Sequence, residues 1–135
     1  MDGLSVAKRS ENMRRIRSED TRPEMLVRRL VHGMGYRYRL HVKTLPGKPD
    51  LVFTGRRCVI EVRGCFWHLH EGCREGRIPE SRNEYWGPKL EKNRERDRAN
   101  VLALKQLGWR VMVIWECEVG SGAKLRSRIR RFLSN

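Results

Sequence analysis

The chain has 135 residues, which suits one compact domain with its own core and is short for two. Its formal net charge of +14 favours a polyanion such as DNA or RNA as partner, although a ribosome-associated or merely basic protein fits the charge equally well. With no apolar run long enough to cross a membrane and no apparent signal peptide, we expect a soluble, cytoplasmic protein.

The N-terminal third predicts a basic arm followed by a helix. Residues 1–20 are basic, and their main large apolar residues are Met13 and Ile16, so we expect an arm that lies on a partner, ahead of a domain over residues 21–135. The capping-box spacing of Thr21 and Glu24 predicts a helix start. The apolar residues that follow at helical spacing are Met25, Leu26, Leu30, Val31 and Met34, and Gly35 is a plausible stop.

Three strands and a loop are predicted next. Apolar and basic residues alternate over residues 36–42, which is typical of a half-buried strand. Further strands are expected at 50–53 and 58–62. The segment 64–82 is rich in cysteine, histidine, glycine and aromatic residues, and it predicts a loop organised by a metal.

The C-terminal part predicts a helix over 88–107, a nearly all-apolar central strand over 110–116 and a last helix over 123–133. The element order is α-β-β-β-loop-α-β-α. This order predicts a single-domain α/β fold.

The four cysteines indicate metal ligands or buried thiols rather than disulfides. Cys65, His68, His70 and Cys73 lie within nine residues, and C-x2-H-x-H-x2-C taken alone resembles a closed tetrahedral zinc site. Scattered polar loop residues are the alternative. We assign Cys58, in mid-strand, to the core, and Cys117 at the end of the last strand is either a ligand or a core thiol.

A second set of residues resembles a nuclease pattern. Asp50 starts one strand and Glu61 lies in the next, two residues before Arg63. The pattern resembles the PD-(D/E)xK motif of Mg²⁺-dependent nucleases, with arginine in the lysine position. Mg²⁺ prefers hard oxygen ligands, which carboxylates on adjacent strands supply. Ordinary solvent-facing carboxylates remain the alternative on this pattern alone.

Asp97 occupies an unusual position on the long predicted helix. Helical spacing aligns Asp97 with Lys89, Asn93 and Val101, beside the apolar stripe rather than among the outward arginines. A carboxylate there usually has a partner, and an imidazole is a good candidate. A partly exposed salt bridge is the alternative.

Together these segments resemble the very-short-patch-repair (Vsr) endonuclease family. The matching strings, in family order over about residues 10–118, are SENMRRIRSEDT, LPGKPDLV, GCFWH, EYW, KNRERDR and LGWRVMVIWEC. GCFWH and the closing GWR…WEC are rare strings, so the match is specific. The resemblance implies a restriction-endonuclease-like fold with a mixed sheet flanked by helices. It also implies a bacterial enzyme that acts on nucleoid DNA and nicks one strand 5′ of the thymine in T·G mismatches left by 5-methylcytosine deamination.

The resemblance also implies roles for the polar residues. Asp50 would bind one or two Mg²⁺ ions together with the backbone carbonyl of Val62, and Glu24 would lie near the same metals. His68 would be the general base, oriented by Asp97, because an imidazole exchanges protons near neutral pH. The structural zinc ligands would be Cys65, His70, Cys73 and Cys117, which frees His68 for catalysis.

DNA contacts follow from the same resemblance. Phe66, Trp67 and Trp86 match aromatic residues that wedge into the base stack beside the mismatch, with core packing as the alternative for the tryptophans. Met13 and Ile16 match an arm that enters from the other groove. Further expected DNA contacts are Lys89, Asn93 and Arg63. Trp109 and Trp115 are assigned to the core.

Two departures from the family pattern bear on the site. Glu61 stands where the family usually has an apolar residue, and Arg63 where it often has aspartate or histidine; Glu61 is therefore a tentative second carboxylate ligand. The loop between His70 and Cys73 is one residue longer. We expect a monomer acting on double-stranded DNA, with mismatch-repair proteins as possible partners. The alternatives are a homing-type or restriction-like nuclease that cuts matched duplex, and a non-catalytic, zinc-stapled nucleic-acid-binding module.

Overall fold

The computed structural model describes residues 19–134, so Met13 and Ile16 lie outside the described residues. Within this range the chain forms a mixed four-stranded sheet and three α-helices. The elements are α1 (Arg22–Gly33), β1 (Arg39–Leu40), β2 (Leu51–Phe53), β3 (Cys58–Arg63), α2 (Asn83–Gln106), β4 (Arg110–Trp115) and α3 (Gly122–Ser134), with short 3₁₀ turns at Thr54–Arg56 and Glu116–Glu118. The predicted element order and the α/β class are confirmed.

The strand order β1-β2-β3-β4 brings the predicted acidic residues together. The first three strands pair antiparallel, and β4 pairs parallel to β3 after a crossover through the loop and α2. Leu51 pairs with Ile60, so one step further along the ladder Asp50 lies beside Glu61. The loop that leaves β3 therefore starts next to both carboxylates.

The sheet buries apolar side chains on both faces, because successive residues of a strand point to opposite sides. Cys58 and Ile60 of β3 pack into the cluster formed with α1 and α3, whereas Val59 packs with Leu104 of α2 and with Trp109. The core assignments of Cys58 and Trp109 are confirmed. None of the helices within residues 19–134 is long and apolar enough to span a membrane.

Three elements differ from the prediction. The strand over 110–116, predicted to be central, is β4, which lies at the edge of the described sheet. The strand expected over 36–42 is only Arg39–Leu40, because His41 has φ +46° and turns the chain out of the extended conformation. The second helix begins at Asn83, five residues earlier than expected, and Pro88 lies inside it. Its ring removes one backbone hydrogen bond early in the helix, where the remaining turns still hold the axis.

The first helix confirms its predicted cap and corrects its buried face. The Thr21 side chain accepts the Glu24 N–H, as the capping-box spacing predicts. The side chains that α1 buries are Glu24, Val27 and Val31, whereas Leu26 is 42% exposed. A carboxylate on the inner face of a helix needs polar partners inside the protein.

Candidate active site and metal centre

Asp50 is a buried carboxylate at the start of β2. It is 9% exposed, and its Oδ2 accepts the Val62 N–H at 2.8 Å. Burial, together with the nearby charges of Glu24 and Glu61, raises the pKa of Asp50 to about 8. Three carboxylates around one point repel each other, and a divalent cation bound among them would offset that repulsion. Their hard oxygen atoms fit Mg²⁺.

Glu24, on the inner face of α1, is 1% exposed and adjoins Asp50. Its Oε1 accepts the Asp20 N–H at 3.1 Å, and its Oε2 contacts Arg28 Nη1 at 3.3 Å and His41 Nε2 at 2.8 Å. Sequence reasoning missed His41, because the alternating pattern made it one more residue of a half-buried strand. Ligand atoms of Asp20, Glu24 and His41 lie within 4.8 Å of one another and form a group that could hold a metal ion.

The predicted partnership of Asp97 with an imidazole is present. His68 Nδ1 lies 2.5 Å from Asp97 Oδ2, joining the loop after β3 to α2. With Asp97 ionised, Nδ1 carries the hydrogen and donates it, which leaves the Nε2 lone pair available to accept a proton. The backbone N–H of His68 donates to Gly64 at 3.2 Å and fixes the loop at this point.

A cleft of about 350 Å³ is lined by Asp50, His68 and Asp97, three of the four predicted catalytic residues, whereas the fourth, Glu24, is not among its lining residues. The candidate residues that line it are Asp50, Glu61, Val62, Arg63, His68 and Asp97. Within it, Arg63 Nη2 donates to Glu61 Oε2 at 3.1 Å. Burial raises the pKa of Glu61, and the Arg63 charge opposes that shift. The cleft is therefore lined by the acidic residues Asp50 and Glu61 together with the His68–Asp97 pair.

A second cluster, beside this cleft, has the donor set of a zinc site. One ligand atom from each of Cys65, His70, Cys73 and Cys117 lies within 4.8 Å of the others. His70 Nδ1 is 3.6 Å from the Cys65 sulfur and 3.5 Å from the Cys117 sulfur. Zinc bond lengths in a tetrahedron set neighbouring nitrogen and sulfur ligands about 3.6 Å apart. The geometry fits a zinc ion held through His70 Nδ1.

The geometry of this cluster bears on two alternatives that the cysteine pattern leaves open. His68 contacts Asp97 and is not part of the cluster, which contains Cys117 in its place; the local C-x2-H-x-H-x2-C interpretation groups different residues. Cys117 lies in the 3₁₀ turn after β4, and it is exposed rather than a core thiol. The Cys/His group thus links the loop to the end of β4.

Backbone contacts and one aromatic ring hold the loop around these ligands. His70 N–H donates to the Cys65 carbonyl at 2.9 Å, and Cys73 N–H donates to the His70 carbonyl at 3.1 Å. Trp115 stacks on the His70 ring, with centroids 4.0 Å apart and planes 7° apart. The assignment of Trp115 to the core was therefore wrong, because it is half-buried against a metal-ligand candidate.

The aromatic residues of the loop and of α2 form a third group. Phe66, Trp67 and Trp86 contact one another edge to face, at centroid distances from 5.3 to 5.9 Å. Trp86 is only 6% exposed and packs as a core residue, whereas Phe66 and Trp67 are half-buried at the surface. Lys89 Nζ lies 5.7 Å from the Trp67 ring centre, and Asn93 donates to the Trp67 carbonyl at 3.3 Å.

Comparison with known proteins agrees with the sequence resemblance. The family model described as DNA mismatch endonuclease Vsr matches residues 1–74. The type II nicking enzyme V.XorIIP of Xanthomonas oryzae pv. oryzae is 52% identical over 132 residues, covering 98% of this chain and 96% of the relative. The DNA mismatch endonuclease Vsr of Escherichia coli is 44% identical over 119 residues, covering 88% of this chain and 76% of the relative. The chain therefore belongs to the Vsr family of DNA endonucleases.

Proposed function

We propose that this endonuclease nicks one strand of double-stranded DNA 5′ of the thymine in a T·G mismatch, by Mg²⁺-dependent hydrolysis. The observation that carries the proposal is the cleft lined both by the buried Asp50 and by the His68–Asp97 pair. Hydrolysis of a phosphodiester needs both a cation site and a proton acceptor, and this cleft offers both. The E. coli relative is named a mismatch endonuclease, and others are named nicking enzymes.

The acidic side of the cleft is the proposed Mg²⁺ site. Asp50 would supply a carboxylate oxygen and Val62 its backbone carbonyl, with Glu24 beside them and Glu61 as a tentative second carboxylate. The chemistry that Mg²⁺ supplies when bound is neutralisation of the charge on the scissile phosphate. Arg63, at the same edge, would contact that phosphate.

His68 is the proposed general base. Asp97 would accept a hydrogen bond from Nδ1–H, which leaves Nε2 without a hydrogen. The same contact would fix the orientation of the ring. A water molecule that gives a proton to Nε2 would attack the phosphorus atom, the bond from phosphorus to the leaving sugar oxygen would break, and that oxygen would take a proton from solvent. The imidazolium formed would be stabilised by the Asp97 carboxylate. This division of roles explains why His68 and His70, two residues apart, have different partners.

The Cys65, His70, Cys73 and Cys117 group is the proposed structural Zn²⁺ site. Four protein ligands leave no open position for substrate, which is typical of structural rather than catalytic zinc. The ion would tie the loop that carries His68 to the end of β4. It would therefore fix the general base indirectly.

Substrate recognition is proposed to use the basic arm and the aromatic group. Residues 1–20 would form an arm, with Met13 and Ile16 entering one groove, and residues 21–135 a restriction-endonuclease-like domain. Phe66 and Trp67 are only partly buried and would stack on bases, and the buried Trp86 would support them. Lys89 and Asn93 contact Trp67 and would carry charge and hydrogen-bonding groups to the same stretch of DNA.

The working form of the enzyme is proposed to be a monomer in the bacterial cytoplasm, acting on nucleoid DNA and open to mismatch-repair partners. A net charge of +14 supports a monomer on DNA, because two such chains repel each other until phosphates neutralise them. The same charge supports duplex binding through many phosphate contacts.

The decisive experiment compares T·G and T·A duplexes, labelled on either strand, with Mg²⁺ or with EDTA. We expect one nick 5′ of the thymine, only in the T·G duplex and only when Mg²⁺ is present. Equal cutting of T·A duplex would instead favour the restriction-like or homing-type alternative. Binding without cutting in any condition would favour a non-catalytic DNA-binding module.

A further inference from the structure

We propose that His41 is a positioning residue, which holds the Glu24 and Asp50 carboxylates in the arrangement that binds the divalent cation. This inference rests on the proposed function, since it assumes that Asp50 is a Mg²⁺ ligand. None of the motifs in the sequence includes His41. Its position is defined by contacts between residues that are 9 to 17 positions apart in the chain.

His41 contacts both acidic residues at once, through different groups. Its ring Nε2 lies 2.8 Å from Glu24 Oε2, and its backbone N–H donates to the Asp50 carbonyl at 3.1 Å. The same Nε2 is 3.9 Å from Asp50 Oδ1. One residue therefore ties the inner face of α1 to the first residue before β2, which fixes the distance between the two carboxylates.

The backbone of His41 is held in a conformation that few residues adopt. Its φ of +46° lies in the left-handed region, which costs energy for residues other than glycine. Histidine, asparagine and aspartate tolerate this region better than most residues. This backbone conformation ends β1 and accompanies the contact between the His41 ring and Glu24.

The imidazole of His41 supplies a donor that Glu24 needs. Glu24 Oε2 has Arg28 at 3.3 Å as its other side-chain donor within the described residues, a longer contact than that to His41. Without the His41 N–H, Glu24 Oε2 would keep only the longer contact to Arg28 among its side-chain donors within the described residues, and the link from Glu24 through His41 to Asp50 would be lost. The two carboxylates would then no longer be held at a fixed separation, so metal affinity would fall.

His41 acts through the carboxylates rather than on the substrate. The residues that line the catalytic cleft include Asp50 and His68 but not His41, whose side chain is 11% exposed. It is therefore not a second proton acceptor for water in this arrangement. Conserving its N–H donor should matter more than conserving an imidazole.

The test compares two substitutions that differ by one methylene. In His41→Gln the amide nitrogen reaches about as far as Nε2 does, whereas in His41→Asn it stops short of Glu24 although asparagine tolerates the positive φ. His32→Ala, an exposed histidine on α1, is the control. Zinc content and thermal unfolding confirm that each variant is folded.

Two readouts measure metal affinity in the zinc-loaded protein. The first is Mn²⁺ binding without DNA, followed by electron paramagnetic resonance, and the second is the Mg²⁺ concentration for half-maximal nicking of a T·G duplex. We expect His41→Asn to weaken both by roughly 10- to 100-fold, a typical effect of losing a residue that orients a metal ligand. His41→Gln and His32→Ala should stay close to wild type, and saturating Mg²⁺ should restore nicking in His41→Asn.

Unchanged Mn²⁺ binding in a folded His41→Asn protein would overturn the positioning role. So would a His41→Gln protein as defective as His41→Asn, because the imidazole itself would then be required. Failure of the underlying function has a different signature: Asp50→Ala would then bind Mn²⁺ as well as wild type. The two failures are thus distinguished by which variant retains wild-type binding.

Discussion

Gly76 lies so close to the proposed zinc loop that no side chain fits there. A Cβ built on Gly76 would overlap the carbonyl oxygen of His70 and would lie 2.6 Å from its nitrogen and 2.8 Å from its carbonyl carbon. These are backbone atoms, so a side-chain rotation cannot relieve the overlap. In Gly76→Ala the His70 backbone has to move.

The size of the effect on zinc affinity follows from the distances between the His70 ring and two cysteine sulfurs. A shift of its backbone would lengthen the distances of 3.5 and 3.6 Å from Nδ1 to the Cys117 and Cys65 sulfurs, which already match a tetrahedral site. Forcing a methyl group into a packed site costs about 1–3 kcal/mol. At about 1.4 kcal/mol per tenfold, zinc affinity should fall by roughly 5- to 150-fold.

Zinc affinity is measured by competition with a chromogenic chelator, and stability by thermal unfolding of the same samples. Both should fall together, because binding free energy at a structural site is folding free energy. Gly120→Ala is the control, since Gly120 follows Cys117 by three residues and has no heavy atom within 4 Å of its Cβ position. Cys117→Ser gives the reference for a lost ligand. Wild-type zinc affinity in Gly76→Ala would contradict a link between the packing of Gly76 against His70 and zinc binding.

Two further predictions separate catalysis from recognition. His68→Ala should reduce single-turnover nicking by roughly 10²- to 10⁴-fold with zinc retained, whereas His70→Ala should lose zinc; release of zinc from His68→Ala would contradict the roles assigned. Trp67→Ala should weaken binding to T·G duplex more than to T·A duplex, because ring stacking is more favourable at a mismatched base step, whereas phosphate contacts are the same in both duplexes. Equal losses of affinity for the two duplexes would contradict the wedge role of Trp67.

Local patterns in the sequence predicted those features that depend on neighbouring residues. The capping box at Thr21 predicted the start of α1, and alternation predicted that Cys58 faces the core. Helical periodicity alone set Asp97 beside the apolar stripe of α2 and predicted an imidazole partner, which is His68. Each of these inferences needs only the geometry of one helix or one strand.

Features that depend on distant contacts were missed or misassigned. His41 owes its role to Glu24 and Asp50, and its positive φ is not encoded by the alternating pattern around it. Trp115 resembles a core residue in an apolar strand, but β4 is the edge strand of the described sheet and its end meets His70. The helix predicted over 88–107 begins at Asn83, with Pro88 inside it.

Glu61 has two competing partners, and the geometry allows each. It lies beside Asp50 across the β2–β3 ladder and lines the same cleft, as a second carboxylate ligand would. It also pairs with Arg63 at 3.1 Å, and both side chains are 12% exposed. Burial raises the pKa of Glu61, so its charge is held at a cost that a nearby cation would reduce.

Glu61→Gln separates the two roles, because the amide keeps the shape and removes the charge. If Glu61 is a ligand, the Mg²⁺ concentration for half-maximal nicking should rise, since a neutral amide oxygen binds a hard cation more weakly than a carboxylate does. The Arg63 guanidinium, freed from its partner, would remain available to the phosphate, so nicking at saturating Mg²⁺ should be largely retained. If Glu61 serves only to pair with Arg63, the Mg²⁺ dependence should not change. In that case Arg63→Gln should reproduce whatever loss of stability Glu61→Gln causes.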